Sequence, residues 1–325
     1  MVQQSRTIPR GGARTIPRGG ARTTAPAVVC TDLTKDYGGG HGVFNLDLSV
    51  QQGETFGFIG PNGAGKTTRI RLLMDLIRPD RGAASLLGMD ARRDSLAIKR
   101  KVGYLPGELV RFPGVSAGYV IGLLAGLRGC VDPARIAELA ERFELDLGRR
   151  YEDLSHGNKQ KVGLIQAFMH RPELLILDEP TLGLDPLMQR EFRRLVEASV
   201  ADGATVFLSS HVLSEVELVC DRVGLIRDGR LRRVGTLNDL RALRIHHIEA
   251  VFNGQVTAAE LGRVPGVTDP RVDDHHLSCA VQGSVGPLLR ALSAAAVVEL
   301  DSHELSLEEV FLGEFEQPPG PGADN

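Results

Sequence analysis

The residues from Gly60 to Thr67 form a loop that could bind the phosphates of a nucleotide. The segment Gly60-Pro61-Asn62-Gly63-Ala64-Gly65-Lys66-Thr67 matches the pattern G-x-x-x-x-G-K-[ST] at every specified position. Its glycines let successive backbone N–H groups point at one anion, and the amine of Lys66 can reach the β- and γ-phosphates. Thr67 can ligate Mg²⁺, and we assign the adjacent Thr68 to the same nucleotide site. The motif predicts a site for a nucleoside triphosphate, with Mg²⁺.

Two adjacent carboxylates, Asp178 and Glu179, could supply the hydrolytic chemistry. They directly follow four apolar residues, Leu174-Leu175-Ile176-Leu177. An unbroken apolar run of this length is typical of a parallel strand buried on both faces. Ligands bind at the carboxyl ends of such strands, which is where the two acids would lie. We expect Asp178 to hold the Mg²⁺ shell and Glu179 to polarise the attacking water.

The elements around the phosphate loop have the order that the motif requires. A short apolar strand from Thr55 to Ile59 precedes the loop, and Ile70, Leu73 and Ile77 follow it at helical spacing.

Two subdomains are predicted beside this core. A half-buried strand is indicated by the alternation of Phe44, Leu46, Leu48 and Val50. Together with a strand near Val28, it suggests an antiparallel β-subdomain whose turn is Gly38-Gly39-Gly40. The pattern from about Gly107 to Leu154 is helical, with Ile136, Leu139, Ala140 and Phe143 on one face.

A third motif, Leu154-Ser155-His156-Gly157-Asn158-Lys159-Gln160, lies just before the buried strand. Together with the two motifs above, and in this order, it resembles the ATP-binding subunits of ABC transporters, whose signature is Leu-Ser-Gly-Gly-Gln. The resemblance implies that Ser155 and Gly157 grip the γ-phosphate of ATP held by the opposite subunit of a dimer. His156 replaces a glycine and Asn158 replaces the glutamine, which leaves the role of His156 open.

Further segments resemble this family between about Val28 and Arg241. Thr181-Leu182-Gly183-Leu184-Asp185 resembles the D-loop, which implies that Asp185 contacts the facing phosphate loop across the dimer. Ser209-Ser210-His211 resembles the switch segment, in which the histidine contacts the γ-phosphate. Tyr37 resembles the aromatic residue that stacks on adenine. The resemblance implies catalytic roles for Glu179, Asp178, Lys66 and His211.

One segment departs from the family pattern. Lys101-Val102-Gly103-Tyr104-Leu105-Pro106-Gly107-Glu108 stands in the place of the Q-loop, where a glutamine usually reaches Mg²⁺. Gly107 occupies the glutamine position and has no side chain to offer. Glu108 could act as the replacement oxygen ligand, or it could be an exposed turn residue. Restoring glutamine at 107 is expected to speed basal hydrolysis.

Length and composition agree with a cytosolic enzyme that has one large domain and one small one. The chain has 325 residues, of which 42% are hydrophobic, and its four cysteines show neither metal nor redox spacing. Residues 1–24 carry five arginines and no acid, so a chain of net charge −3 has a body of net charge −8. Such an acidic body argues against extended nucleic-acid contact. We expect no membrane span and no signal peptide.

The sequence predicts a fold of the α/β class: a phosphate-loop NTPase core with an antiparallel β-subdomain, a helical signature subdomain and a small C-terminal α/β domain. A perfect repeat, Arg6–Ala13 and Arg14–Ala21, predicts a disordered basic arm at 1–27. The ATP-binding domain is predicted at 28–243, the C-terminal domain at 244–315 and a disordered tail at 316–325. In the C-terminal domain we expect strands at Ile248–Phe252, His276–Val281 and Val297–Asp301, and Ser306–Leu312 resembles a closing helix of exporter ATPases.

The resemblance implies an ATPase that dimerises around two ATP molecules at the cytoplasmic face of the membrane and powers export by a separate integral-membrane permease. A soluble ABC ATPase acting on the ribosome or on DNA is the alternative. Relatives of that kind usually carry two cassettes or a long coiled coil, whereas this chain has one cassette and only 89 positions between Lys66 and Ser155. A regulator that does not turn over is disfavoured by the intact Asp178-Glu179 pair. The sequence does not identify the cargo.

Overall fold

The computed structural model describes residues 25–61, 63–129, 131–237 and 245–304. The strands are β1 (Val28–Asp36), β2 (Gly42–Val50), β3 (Thr55–Ile59), β4 (Arg81–Leu86), β5 (Met89–Asp90), β6 (Val102–Leu105), β7 (Leu174–Asp178), β8 (Thr205–Ser210), β9 (Arg222–Arg227), β10 (Arg230–Thr236), β11 (Ile245–Phe252), β12 (Val267–Asp273), β13 (His276–Gln282) and β14 (Val297–Glu304).

Helices alternate with these strands through most of the chain. They are α1 (Lys66–Leu73), α2 (Ser95–Lys101), α3 (Ala117–Arg128), α4 (Pro133–Arg142), α5 (His156–Phe168), α6 (Pro186–Ala201), α7 (Leu213–Glu217), α8 (Ala258–Leu261) and α9 (Gly286–Leu292), and a 3₁₀ turn at Ser293–Ala295 follows α9. Among the described residues, no helix combines the length and the apolar character needed to cross a membrane. Asn62, the Arg6–Ala21 repeat, the predicted closing helix at Ser306–Leu312 and the tail lie outside the described residues.

A six-stranded sheet in the order β10-β9-β3-β8-β7-β6 forms the centre of the fold. Its strands run parallel from β9 to β6, and β10 is antiparallel to β9. Both faces are covered, which explains the unbroken apolar run in β7. Leu175 and Leu177 pack in the core on one side, whereas Leu174 and Ile176 pack in the core on the other. The prediction of a buried parallel strand that ends at Asp178 is confirmed.

The antiparallel β-subdomain is also confirmed. It is a four-stranded sheet in the order β2-β1-β4-β5, and β1 joins β2 through the glycine turn at residues 38–40. Tyr37 N–H donates to the His41 carbonyl at 2.9 Å and closes this turn. Leu46, Leu48 and Val50 point into the core that also contains Phe56 and Phe58 of β3. The subdomain therefore packs against the strand that leads into the phosphate loop.

The region before the signature motif is helical, as the spacing predicts. Asp132 caps α4, since its side chain accepts from Ala134 N–H at 2.9 Å, and Pro133 occupies the first helical position. Leu139, Ala140 and Phe143 are buried in the same core as Val162 and Ile165 of α5. This core fixes α5, and with it the signature motif, against the central sheet.

The helix after the phosphate loop is shorter than the spacing predicts. Ile70 and Leu73 lie in α1 and are buried, but the helix ends at Leu73, so the prediction that Ile77 belongs to it is wrong. Met74 caps its C-terminus, and Asp75 follows with a left-handed φ of 50°. Ile77 still packs against the same core, partly buried, from the segment beyond the helix. An apolar residue can thus keep helical spacing without being helical.

The C-terminal residues form a separate four-stranded antiparallel sheet in the order β12-β13-β11-β14. With α8 and α9 on the connections, the elements follow a βαββαβ order. The predicted strands match β11, β13 and β14, but β12 was missed because Asp269 and Pro270 interrupt its apolar pattern. Proline is tolerated there because β12 lies at the sheet edge, beside a pairing irregularity between Thr268 and Arg271. The fold class is thus confirmed, and the domain boundaries at 27/28, 243/244 and 315/316 stay predictions.

Candidate functional site

The phosphate loop leaves the carboxyl end of β3 and leads directly into α1, where Thr67 and Thr68 lie half-buried in the first turn. A β-carbon at Gly60 would stand 2.5 Å from the Ile226 carbonyl oxygen. Gly65, the N-cap of α1, has a left-handed φ of 90°, and a β-carbon there would stand 2.8 Å from the Gly42 carbonyl oxygen. Glycine is required at both positions because neighbouring backbone approaches too closely for a side chain. The loop between β3 and α1 also contains the other described residues of the motif, Pro61, Gly63 and Ala64.

Lys66 reaches across the site to the carboxylate of Glu179. Its side chain is only 6% exposed, and its Nζ donates to the carbonyls of Gly60 and Pro61. The same Nζ lies 3.3 Å from Glu179 Oε1. The lysine amine is therefore held inside the loop, beside the proposed catalytic carboxylate.

Asp178 lies at the end of β7, fully buried, with its two carboxylate oxygens in different surroundings. Oδ1 accepts a hydrogen bond from Ser209 Oγ of the adjacent strand β8. Oδ2 is buried and has no hydrogen-bond partner among the described residues. A buried, unpartnered carboxylate oxygen is costly unless a cation or another donor completes it. This orphaned oxygen fits the Mg²⁺ that the sequence predicts beside Thr67.

Glu179 and His211 form a polar pair at the ends of β7 and β8. His211 Nδ1 lies 2.8 Å from Glu179 Oε2, and the His211 backbone N–H donates to the same oxygen at 3.4 Å. Glu179 adopts a left-handed φ of 48°, which its backbone contacts support. Its N–H donates to the Ser209 carbonyl at 3.1 Å, and its own carbonyl accepts from Gln160 Nε2 at 2.9 Å. The carboxylate is thus flanked by Lys66 on one oxygen and His211 on the other.

The signature segment starts α5 and packs against the D-loop of the same chain. Ser155 caps the helix, and its Oγ accepts from Asn158 N–H at 3.3 Å. A β-carbon at Gly157 would stand 2.3 Å from the Gly183 carbonyl oxygen, so the glycine is needed for packing within the subunit. The His156 ring lies against Gly183: a β-carbon built on Gly183 would stand 2.6 Å from His156 Cδ2. The open question about His156 therefore has a structural answer: its ring packs against the D-loop.

Three other predicted site residues are exposed. The side chain of Asp185 caps α6 by accepting from Leu187 N–H and Met188 N–H, both at 3.0 Å. Tyr37 is 56% exposed at the end of β1, and Lys35 Nζ lies 5.8 Å from its ring centroid. Glu108 is 88% exposed, and Arg71 Nη2 lies 3.6 Å from its Oε2. The contact of Asp185 with a facing loop, the adenine stacking of Tyr37 and metal ligation by Glu108 stay predictions.

Two functional positions were missed by sequence reasoning. Ser209 holds Asp178 through its hydroxyl and Glu179 through its backbone, and Gln160, which is 3% exposed, holds the backbone of Glu179 and Pro180. Both residues lie inside motifs that the sequence analysis quoted. A buried glutamine on the apolar face of α5 was the available signal, because a buried amide requires partners.

Comparisons with known proteins indicate the family that the motifs resemble. The model of a family described as "ABC transporter" matches residues 43–182. The chain is 36% identical over 243 residues to the bacitracin transport ATP-binding protein BcrA of Bacillus licheniformis, covering 71% of this chain and 76% of the relative. It is 35% identical over 214 residues to the linearmycin resistance ATP-binding protein LnrL of Bacillus subtilis (strain 168), covering 64% and 69%. Its fold is similar to a solved ATP-binding subunit of an ABC transporter, with a TM-score of 0.61 and 32% identity over 66% of this chain and 92% of the other.

Proposed function

This chain belongs to the ATP-binding proteins of the ABC transporter family, and we propose that it hydrolyses ATP to power an exporter whose membrane-spanning part is a separate permease. The observation that carries the proposal is the environment of Glu179. Its carboxylate lies between Lys66 and His211, next to the orphaned oxygen of Asp178 and beside the phosphate loop. These are the groups that an ATP hydrolysis site needs, held by the ends of three adjacent parallel strands.

Glu179 acts in this proposal as the base that takes a proton from the attacking water. Lys66 Nζ lies 3.3 Å from Glu179 Oε1 and forms an ion pair with it. Phosphates of ATP in the loop compete for the lysine amine, because they carry more negative charge than one carboxylate. Glu179 then loses its cation and becomes available to the water, while His211 holds its other oxygen at 2.8 Å.

Asp178 and Thr67 are the residues proposed to hold Mg²⁺. Asp178 Oδ2 is the unpartnered oxygen, and Ser209 fixes the carboxylate orientation through Oδ1. The chemistry that Mg²⁺ would supply there is neutralisation of the charge that develops on the phosphates. Ser209 therefore acts on the metal site by keeping Asp178 in one rotamer.

We assign Ser155, Gly157 and Asp185 to a contact with a second copy of the chain, bound through two ATP molecules. Support comes from their exposure and their place at helix starts: Ser155 caps α5 and Asp185 caps α6, both at the surface. The first turn of α5 attracts phosphate through its free N–H groups. Gly157 packs against Gly183, which belongs to the D-loop that follows Glu179. A contact made by the second copy at the start of α5 or α6 therefore reaches the D-loop of this chain.

Helix α3 offers the surface that we assign to the permease. Tyr119, Leu123 and Leu127 recur at helical spacing and are 60%, 46% and 77% exposed. Gly122 and Gly126 lie beside them with open space around them, so another helix could approach closely. An exposed apolar row of this kind is typical of a protein interaction site.

Export of an antibiotic-like compound, and a position at the cytoplasmic face of the membrane, are proposed from the relatives. Their names describe bacitracin transport and linearmycin resistance. The chain covers 76% and 69% of these two proteins. The proposal therefore extends from ATP hydrolysis to the class of transporter, and leaves the cargo open.

The proposal is tested by coexpressing the chain with candidate integral-membrane proteins from its source genome. We expect the two to copurify in mild detergent and the permease to stimulate ATP hydrolysis. Leu123→Glu and Leu127→Glu on α3 should abolish copurification and stimulation while leaving basal hydrolysis intact. Leu289→Glu, on α9 and 45% exposed in the native chain, is the matched control and should change neither. Absence of ATP hydrolysis in the wild-type chain, with or without the permease, would contradict the proposal.

A further inference from the structure

Glu215 in α7 receives polar contacts from three separate segments. Its Oε2 accepts a hydrogen bond from the Thr181 hydroxyl, and its Oε1 accepts one from Gln189 Nε2 of α6 at 3.2 Å. Ser210 Oγ at the end of β8 lies 3.5 Å from Oε2 and 3.3 Å from the Val212 carbonyl, so its one hydrogen is shared between these acceptors. One half-buried carboxylate therefore connects the D-loop, helix α6 and the end of β8.

Two of the three residues that Glu215 contacts are close to the proposed catalytic pair in sequence. Thr181 lies two residues after Glu179, and Ser210 directly precedes His211. Glu179 Oε2 and His211 Nδ1 are 2.8 Å apart. The two segments that carry this pair thus meet twice, once at the pair itself and once at Glu215. Hydrogen bonds to an ionised carboxylate are about twice as strong as those between neutral groups.

A cavity of about 250 Å³ lies beside these contacts, and its lining includes Thr181, Gln189, Ser210, Glu215, Phe192 and Leu208. Thr181 and Ser210 both border this pocket, so the hydrogen bonds of Glu215 join the two segments across its wall.

We propose that Glu215 is a positioning residue that sets the distance and orientation between Glu179 and His211. It acts through Thr181 on the segment of Glu179 and through Ser210 on the segment of His211. Through Gln189 it also ties both segments to the start of α6, where Asp185 forms the cap. The inference rests on the proposed ATP hydrolysis at Glu179 and adds a residue that no motif predicts.

The test compares kcat and KM for ATP in the purified full chain and in a set of variants. Glu215→Ala should lower kcat by about 10- to 100-fold, because small displacements of catalytic groups have effects of this size. KM for ATP should stay within about twofold, since the phosphate loop is not touched. Glu215→Gln keeps one acceptor oxygen and should recover part of kcat. Glu197→Ala removes an exposed glutamate of α6 and serves as the control, with kcat unchanged.

A double-variant cycle separates positioning from a general loss of structure. Thr181→Val deletes the hydroxyl that Glu215 binds while keeping the side-chain size, so it should also lower kcat. Combined with Glu215→Gln, it should lower kcat by less than the product of the two single effects. Thermal unfolding followed by circular dichroism shows which variants are folded. If Glu215→Ala does not fold, the cycle of Thr181→Val and Glu215→Gln still tests the inference.

The result that would overturn the inference is a folded Glu215→Ala protein with wild-type kcat. Multiplicative effects of Thr181→Val and Glu215→Gln would overturn it as well, because they would show that the two residues act independently. Failure of the proposed function is distinguishable: in that case the wild-type chain and the Glu197→Ala control would not hydrolyse ATP.

Discussion

Gly107 lies against Asp178, so closely that a β-carbon at Gly107 would stand 2.8 Å from Asp178 Oδ2. This is the carboxylate oxygen that is buried and unpartnered among the described residues. The glycine that replaces the expected glutamine therefore allows the loop backbone to sit directly over the proposed metal ligand. The contact reverses one expectation from the sequence: a glutamine at 107 would have to displace the loop or the carboxylate, so it should not speed basal hydrolysis.

The first prediction concerns this contact and uses Gly107→Ala. Ser209 holds the other oxygen of Asp178, so the carboxylate cannot easily turn away from the new methyl group. We expect the Mg²⁺ concentration for half-maximal ATP hydrolysis to rise several-fold, because Asp178 or the loop must shift. Gly122→Ala in α3 is the matched control, since a β-carbon there meets nothing within 4 Å. An unchanged Mg²⁺ dependence in Gly107→Ala would show that the loop yields without affecting the metal site.

A second prediction assigns the base. Glu179→Gln should retain ATP binding, because Lys66 and Thr67 remain, but hydrolysis should fall by about 10²- to 10⁴-fold. Equilibrium binding of a fluorescent ATP analogue and a phosphate-release assay measure the two properties separately. Glu173→Gln, which changes an exposed glutamate paired with Lys101, is the control and should hydrolyse ATP normally. Turnover within a few-fold of wild type in Glu179→Gln would remove Glu179 from the base role.

A third prediction concerns assembly. In the Glu179→Gln background, ATP should produce a dimer that is absent without ATP, as measured by light scattering after size-exclusion chromatography. Ser155→Arg should prevent this dimer, because it removes the helix cap and adds bulk where the facing phosphate is expected. Ser199→Arg, on α6 and outside the predicted contact, should not prevent it. A dimer that forms without ATP, or that survives Ser155→Arg, would contradict the ATP-dependent assembly.

A fourth prediction concerns stability at Arg69, which is fully buried beneath the phosphate loop. Its Nη1 donates to the Ala64 carbonyl at 3.0 Å, but Nε and Nη2 have no partner among the described residues. Burial lowers the pKa of its guanidinium to about 9 and raises the pKa of the nearby Cys30 thiol to about 12. Among the described residues the guanidinium has no carboxylate partner, and its Cζ lies 5.2 Å from the Phe58 ring centroid. Arg69→Met should raise the free energy of unfolding by about 1–4 kcal/mol, the range found when buried ion pairs are replaced by apolar residues.

Urea unfolding of Arg69→Met and of Arg71→Met, a half-exposed neighbour on the same helix, measures this effect. Arg71→Met should change the free energy of unfolding by less than about 0.5 kcal/mol. Arg69 binds its proton less tightly in the folded state than in the unfolded state, so the free-energy cost of burying its charge falls as the pH rises above about 9. The increase in the free energy of unfolding caused by Arg69→Met should therefore become smaller above that pH. A less stable Arg69→Met protein would show that the guanidinium is better compensated than its contacts indicate.

The central fold and much of the candidate site could be predicted because their determinants are local. The phosphate loop is contiguous, and the run from Leu174 to Glu179 carries a buried strand and its terminal acids together. The same local reasoning failed where tertiary packing overrides the pattern. Ile77 keeps helical spacing but follows the end of α1, and β12 tolerates Pro270 only because it lies at a sheet edge.

The sequence by itself determined the type of chemistry and the family, since short motifs hold the residues that bind phosphate and activate water. Only the tertiary structure decided which of these residues touch. The alignment of β3, β7 and β8 brings Lys66, Glu179 and His211 into contact, and the path of the loop after β6 places Gly107 on Asp178. Glu215 belongs to no predicted motif and receives its three partners only in the folded chain. Apart from Ser210 and Glu215, which are five residues apart, these contacts join residues distant in the chain, so no local spacing records them.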